Sequence, residues 1–197
     1  INKLEDYKGK IAQLEAPFVH DIAPTLRGWE GAASRAYFST ISPFLPEKYQ
    51  YEQRTQHPAT DLFNAMLNYG YGMMYGKVEG ALIKAGIDPY LGVFHRDEYN
   101  RPVFVYDAIE KFRVWIDYVV VSLAIQDVVD EDGYSIKPDG SYWLEAMGKR
   151  MLIQSVNDYL DEVITMDGKE RSRASHINLW AEKLANKILH YKVKFEE

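Results

Sequence analysis

The segment TDLFNAMLNYGYGMMYGKVEGALIKAG, residues 60–86, indicates a helical protein. Pro58 opens it, Thr60 or Asp61 suits its first turn, and Gly86 is a typical terminator, so we predict one long helix here. Glycines recur inside the segment, at positions 70, 72, 76 and 80. Each costs roughly 1 kcal/mol of helix stability relative to alanine, and we therefore expect another element to pack closely against this helix.

Apolar residues in the rest of the chain also recur mostly at three- or four-residue steps, which is the spacing of a helix face. We predict four further helices, over residues 26–41, 103–129, 142–166 and 174–192. The connections are a polar exposed loop at 47–56, a loop at 88–101, and a turn or small hairpin at 130–141. We therefore expect an all-α fold with at most a small hairpin near 130–141, in a single domain over residues 1–197.

The composition is that of a soluble protein. The 197 residues are 47% hydrophobic and 26% charged, and no apolar run reaches the ~18–20 residues that a membrane span requires. Cysteine is absent, which excludes disulfides and thiolate zinc sites and favours a cytoplasmic location. The chain begins with Ile1 and shows neither a signal nor a transit peptide, so we expect it to be part of a longer protein.

The formal net charge of −6 argues against a nucleic-acid binder that is basic overall. Basic residues nevertheless fall around the loop at 88–101 and on a later helix, at Arg96, Arg101, Lys111, Arg113, Lys149 and Arg150. A local basic surface is therefore compatible with the acidic total.

Two acidic residues lie on one face of a predicted helix. Asp107 and Glu110 are three residues apart, so their carboxylates project from the same side and could share a cation. The alternative is a solvated surface of ion pairs, since Lys111 and Arg113 follow at helical spacing. Residue chemistry alone favours the ion-paired surface.

Glu30 and His95 are the other candidate ligands. Glu30 lies among small residues that let other backbones approach, where a desolvated carboxylate would need a partner. His95 lies in a loop between Phe94 and Arg96, a position that suits a metal ligand or a loop-anchoring histidine equally. Taken alone, the glutamate is more typical of an ordinary helix surface.

Three strings occur in order along the chain: GWEGAASRAYF at 28–38, LNYGYGMMYG at 67–76 and GIDPYLGVFHRDEYNRPVFVYDAIEKFR at 86–113. Together they closely resemble the CRISPR-associated integrase that inserts new spacers, the "Cas one" subunit, and specifically its helical C-terminal catalytic domain. The region after residue 130 is similar only in its helical character. The β-rich N-terminal domain that family members usually use for dimerisation has no counterpart in this sequence.

The resemblance implies a site for Mg²⁺ or Mn²⁺ held by Glu30, His95 and Glu110, with Asp107 as a nearby second acid. It also implies that Tyr75 lies beside the active site near DNA, although a tyrosine in this pattern is equally typical of a core aromatic. The basic residues near the site, expected to contact DNA, are Arg35, Arg96, Arg101, Lys111 and Arg113.

The activity implied by the resemblance is phosphodiester transesterification, in which the 3′ hydroxyl of new spacer DNA attacks a phosphate at the repeat boundary. The implied partners are spacer and repeat DNA, a second copy in a homodimer, and the small "Cas two" subunit, with no membrane. Two alternatives stay open: a metal-dependent nuclease that cuts branched or single-stranded DNA without joining it, and a non-catalytic helical scaffold, which the acidic net charge favours.

Overall fold

The computed structural model describes residues 2–94 and 101–191. Its helices are α1 (Asn2–Ala12), α2 (Val19–Ile41), α3 (Leu62–Lys84), α4 (Val103–Ile109), α5 (Arg113–Ile125), α6 (Ala146–Asp161) and α7 (Arg173–Leu189). Its strands are β1 (Tyr134–Ile136), β2 (Tyr142–Leu144), β3 (Val163–Met166) and β4 (Lys169–Ser172). The predicted helical fold class is confirmed, and none of the described helices is long and apolar enough to cross a membrane.

The chain divides into two compact units. The first combines Ile1–Tyr71 with Trp115–Ser155, and the second combines Gly72–Val114 with Val156–Glu197. The single domain expected over residues 1–197 stays a prediction.

Local signals account for both ends of α3. At its start, Asp61 accepts a hydrogen bond from the backbone N–H of Asn64 at 2.7 Å, which satisfies one of the exposed donors of the first turn. Just beyond its end, Gly86 has a φ of +80°, a left-handed conformation that favours glycine. The predicted long helix is therefore confirmed.

Close packing against the glycines of α3 is confirmed at only one of them. A Cβ added at Gly70 would lie 2.6 Å from Cγ2 of Ile116, which is buried in α5. A Cβ at Gly72, Gly76 or Gly80 would meet no atom of the described residues within 4 Å. The expected close packing of another element against α3 is therefore found at Gly70.

The segment 47–56 is exposed at most of its positions, as predicted, but two aromatic residues anchor it to the core. Tyr49 is completely buried, and its hydroxyl accepts a hydrogen bond from the backbone N–H of Val129 at 3.2 Å. Tyr51 is also buried and donates to the backbone oxygen of Phe38 at 2.8 Å. Because the segment is polar on average, its composition did not reveal the two side chains that belong to the core.

The single helix predicted over 103–129 is two helices, because the chain turns between Ile109 and Arg113. Phe112 lies in this turn, fully buried, with its ring 5.4 Å from that of Trp180 in an edge-on contact. Burying this ring outweighs the continuation of the helix. Glu110 is consequently the residue that ends α4 instead of a residue in the middle of a helix.

Two antiparallel hairpins interrupt the predicted helix over 142–166. Strand β1 pairs with β2, somewhat beyond the hairpin expected at 130–141, and β3 pairs with β4. The second hairpin turns at Asp167 and Gly168, both with positive φ, which is a typical two-residue hairpin turn. The structure therefore has a second small hairpin beyond the one expected near 130–141, and its Asp-Gly turn was visible in the sequence.

Candidate metal centre

Glu30 lies on α2, in the first unit, with its side chain exposed. The C-terminal end of α2 is firmly held: Phe38 is buried, and Ser42 exchanges hydrogen bonds with the backbone of Tyr51 at 2.7 and 2.9 Å. The helix that carries this carboxylate is therefore anchored two to three turns beyond it.

Asp107 lies on α4, in the second unit, and is half-buried. Its Oδ2 accepts hydrogen bonds from the backbone N–H groups of Val93, at 3.2 Å, and Phe94, at 2.8 Å. Phe94 immediately precedes His95 in the chain. The carboxylate of Asp107 therefore holds the backbone that leads into the predicted histidine ligand, which fits the supporting role implied for this second acid.

Glu110 is exposed at the end of α4 and forms an ion pair with Arg113 at 2.6 Å. This is the contact that the ion-paired alternative predicted. Exposed pairs of this kind contribute only about 0–1 kcal/mol, so a divalent cation could displace the guanidinium at small cost. The pair is compatible with both a surface role and a ligand role for Glu110.

Tyr75 lies on α3 and is tied to the start of α4. Its hydroxyl donates to the backbone oxygen of Pro102 at 3.0 Å, and its ring centroid lies 5.2 Å from that of Tyr106. Burial, with smaller contributions from Tyr106 and Glu79, raises the pKa of Tyr75 well above its usual value. The phenol is therefore neutral at physiological pH and acts as a hydrogen-bond donor.

The predicted DNA-contacting residues are distributed over both units. Arg35 is exposed on α2 and lines a groove of about 930 Å³ in the first unit. Arg101 and Lys111 are exposed in the second unit, and Arg113 is half-buried. The groove at Arg35 also contains acidic side chains, Asp6 and Glu52, so its charge is mixed.

His95 and Arg96 lie outside the described residues. Within residues 2–94 and 101–191, no group of three or more His, Asp or Glu side chains is arranged to hold a metal ion. The donor types nevertheless fit a divalent ion, since carboxylate oxygens of Glu30 and Glu110 reach the surface and an imidazole would complete the set. Their convergence on one ion stays a prediction.

Sequence reasoning missed a buried acid in the first unit. Asp117 is only 7% exposed and accepts a hydrogen bond from the hydroxyl of Tyr71. The available signal was its position in WIDYVVV, residues 115–121, where one charged residue interrupts an apolar helix.

Solved structures of known proteins share this fold. A "Casposase bound to integration product" superposes with a TM-score of 0.85 at 23% identity, over 97% of this chain and 56% of that one. A Cas1 protein from Thermotoga maritima superposes with a TM-score of 0.82 at 22% identity, over 98% of this chain and 58% of that one. A "Cas6-RT-Cas1--Cas2 complex" gives 0.82 at 22% identity, over 95% of this chain and 20% of that one.

Two curated relatives carry the name CRISPR-associated endonuclease Cas1 1. The protein from Methanospirillum hungatei is 34% identical over 133 residues, 67% of this chain and 40% of the relative. The protein from Archaeoglobus fulgidus is 32% identical over 176 residues, which are 85% of this chain and 50% of the relative. The chain thus spans half or less of their length. The family model described as "CRISPR associated protein Cas1" matches residues 1–158, and the chain therefore belongs to the Cas1 family.

Proposed function

We propose that this chain is the catalytic region of a metal-dependent DNA integrase of CRISPR adaptation, which joins the 3′-hydroxyl ends of new spacer DNA to the repeat array by transesterification. The observation that carries the proposal is the hydrogen bonding of Asp107 to the loop before His95, in a chain of the Cas1 family. Its carboxylate fixes the backbone up to Phe94, directly before His95, while Glu110 lies exposed at the end of the same helix. Asp107 thus supports the backbone that leads to His95, and it lies on the same helix that ends at Glu110.

Glu30, His95 and Glu110 would hold the ion, either Mg²⁺ or Mn²⁺. When bound, a divalent ion polarises a phosphoryl oxygen and lowers the pKa of the attacking hydroxyl. A mixed carboxylate and imidazole set suits Mn²⁺ somewhat better than Mg²⁺, which prefers oxygen ligands and water. Asp107 would support His95 instead of binding the ion directly.

Basic and aromatic side chains would position the DNA. Arg35, Arg101 and Lys111 are exposed and chemically suited to phosphate oxygens, as are Arg96 and Arg113. Tyr75 keeps its hydroxyl bonded to Pro102, so its contribution would be to hold the start of α4 and to offer its ring face to a base.

The partners would be spacer and repeat DNA, a second copy of the protein, and the small Cas2 subunit, in the cytoplasm. Support for the last partner comes from the solved structure "Cas6-RT-Cas1--Cas2 complex", which shares this fold over 95% of the chain.

The test supplies a supercoiled plasmid containing a repeat and DNA fragments with 3′-hydroxyl ends, together with Mn²⁺ and the Cas2 partner. We expect joined products from the wild-type protein and at least ~100-fold fewer from Glu30→Gln, His95→Ala or Glu110→Gln, since loss of one ligand leaves the site incomplete. Lys169→Ala, at an exposed position on β4, is the matched control and should join normally. Joining by the Glu110→Gln variant at the wild-type rate would contradict the proposed ligand set.

A non-catalytic scaffold is the second candidate, favoured by the net charge of −6. Calorimetric titration with Mn²⁺ separates the two, because a scaffold has no reason to bind the ion in a manner that depends on Glu30. Cleaved but unjoined plasmid would instead indicate a nuclease that acts without integration.

A further inference from the structure

The ion pair between Glu110 and Arg113 joins a proposed metal ligand to a proposed DNA contact. Nη1 of Arg113 donates to Oε1 of Glu110 at 2.6 Å, and both residues lie in the second unit. The side chain of Glu110 is 41% exposed and that of Arg113 is 26% exposed. The bond therefore lies at the surface, where a cation from solvent can reach the carboxylate.

Buried neighbours fix the backbone that carries this pair. Ile109 and Phe112 are both buried, and the N–H of Phe112 donates to the backbone oxygen of Ile109 at 2.8 Å. The ring of Phe112 also packs edge-on against Trp180. Because these contacts hold the turn between α4 and α5, we expect the turn to keep its conformation when the pair opens. Only the two charged side chains then have to move.

The first turn of α5 is a place where an anion is favourable. Arg113 is the first residue of this helix, and the first turn contains no acidic residue. The N-terminal end of a helix carries a partial positive charge, so a cation placed there is unfavourable unless a negative group compensates it. Glu110 provides that negative charge. A phosphate oxygen can replace it, since helix starts and guanidinium groups both bind phosphate.

A divalent ion and the guanidinium of Arg113 would compete for Glu110. Divalent ions bind carboxylate oxygens directly, and a guanidinium bonded to the same carboxylate occupies one oxygen and repels the ion. Once the ion has taken Glu110, the guanidinium lacks its anion. A DNA phosphate that binds the released Arg113 would in turn keep Glu110 available, so the ion and the DNA would strengthen each other's binding.

We propose that Arg113 is a metal-gated phosphate contact: it pairs with Glu110 until a divalent ion takes that carboxylate, and it then binds a phosphate of the DNA. The inference rests on the proposed function, because that function makes Glu110 a ligand and DNA the substrate. Lys111 is exposed beside Glu110 in the chain and would contact phosphate with or without the ion.

The first measurement is the Mn²⁺ affinity of the full chain without DNA, by calorimetry. Arg113→Gln removes the competing guanidinium and should raise the affinity about three- to fivefold, which is the upper range for an exposed ion pair. Lys111→Gln is the matched control, because it removes an equal charge beside Glu110 and leaves the pair intact. It should change the affinity by less than about twofold. Thermal midpoints report whether each variant is folded.

The second measurement is DNA binding with and without Mn²⁺, by fluorescence anisotropy. The DNA fragment has dideoxy 3′ ends, so it cannot be joined. The factor by which Mn²⁺ strengthens binding should be at least about threefold smaller in Arg113→Gln than in the wild type. Lys111→Gln should weaken binding by the same factor in both conditions, because its phosphate contact does not depend on Glu110.

A crystal of the wild type soaked with Mn²⁺ tests the pair directly and does not depend on how the variants fold. We expect Glu110 bound to the ion and its carboxylate more than about 4 Å from the Arg113 guanidinium, beyond ion-pair distance. An ion bound to Glu110 with the pair intact would overturn the gating.

The failure of this inference and the failure of the proposed function have different signatures. Equal Mn²⁺ affinities in the wild type and Arg113→Gln, or an equal rise in Arg113→Gln and Lys111→Gln, would overturn the gating and leave the ligand set in place. Wild-type protein that binds no Mn²⁺, or binds it equally well after Glu110→Gln, would overturn the ligand set and the gating together.

Discussion

Asp107 and Glu110 are three residues apart but have different surroundings. Asp107 is half-buried and bonded to the backbone of Val93 and Phe94, whereas Glu110 is exposed and paired with Arg113. The spacing that made the two acids look equivalent in sequence does not determine their partners. Those partners come from the loop before His95 and from the turn that ends α4.

Substitutions of Asp107 can separate support of the loop from ligation of the ion. Asparagine retains a carbonyl oxygen that can accept from Phe94, whereas alanine retains no acceptor. If Asp107 acts through the loop, Asp107→Asn should bind Mn²⁺ within about threefold of the wild type, and Asp107→Ala should lose about 10- to 100-fold. The measurement is calorimetric titration with Mn²⁺. An equally large loss in both variants would mean that Asp107 is itself a ligand.

Helix boundaries in this chain follow two kinds of cause. The ends of α3 are set by Asp61 and Gly86, which act within a few residues of themselves, so they could be predicted from sequence. The break after α4 depends on burial of Phe112 against Trp180, a residue far along the chain. Apolar periodicity does not register such a contact, and it therefore predicted one continuous helix.

The glycines of α3 provide a test of element packing. Gly70→Ala should destabilise the protein by about 1–3 kcal/mol, because the new Cβ would lie 2.6 Å from a methyl of Ile116, which is buried. Gly72→Ala should stabilise it by about 0.5–1 kcal/mol, since no atom in the described part of the chain lies within 4 Å of the new Cβ and alanine is the better helix former. Urea unfolding gives both values. Equal effects would show that Ile116 does not restrict Gly70.

At the scale of the whole molecule, the net charge of −6 has to be reconciled with a DNA substrate. Phosphate binding depends on local charge, and exposed basic residues occur in both units, at Arg35, Arg101 and Lys111. A protein of this charge is expected to bind DNA through few phosphate contacts, with a correspondingly modest dependence on salt.

Lys111→Ala should lower the slope of log K against log salt concentration for DNA binding by about 0.9, the amount expected for one phosphate contact. Lys169→Ala changes the net charge equally from an exposed position on β4 and should leave the slope unchanged. Fluorescence anisotropy with a labelled DNA fragment over a range of salt concentrations measures both. Identical slopes for the two variants would exclude Lys111 from the phosphate contacts.

The family, the helical class and the candidate ligands Glu30, His95 and Glu110 all followed from ordered motifs and local periodicity. Such features depend on the order and local spacing of residues, so they can be recognised without knowledge of distant contacts. The hydrogen-bond partners of Asp107 and Asp117 did not follow, since only folding brings them near. Asp107 accepts from Val93 and Phe94 in the loop before His95, and Asp117 accepts from Tyr71 on another helix. A carboxylate's neighbours determine whether it can bind an ion or supports another part of the chain, and in this protein packing brings those neighbours together.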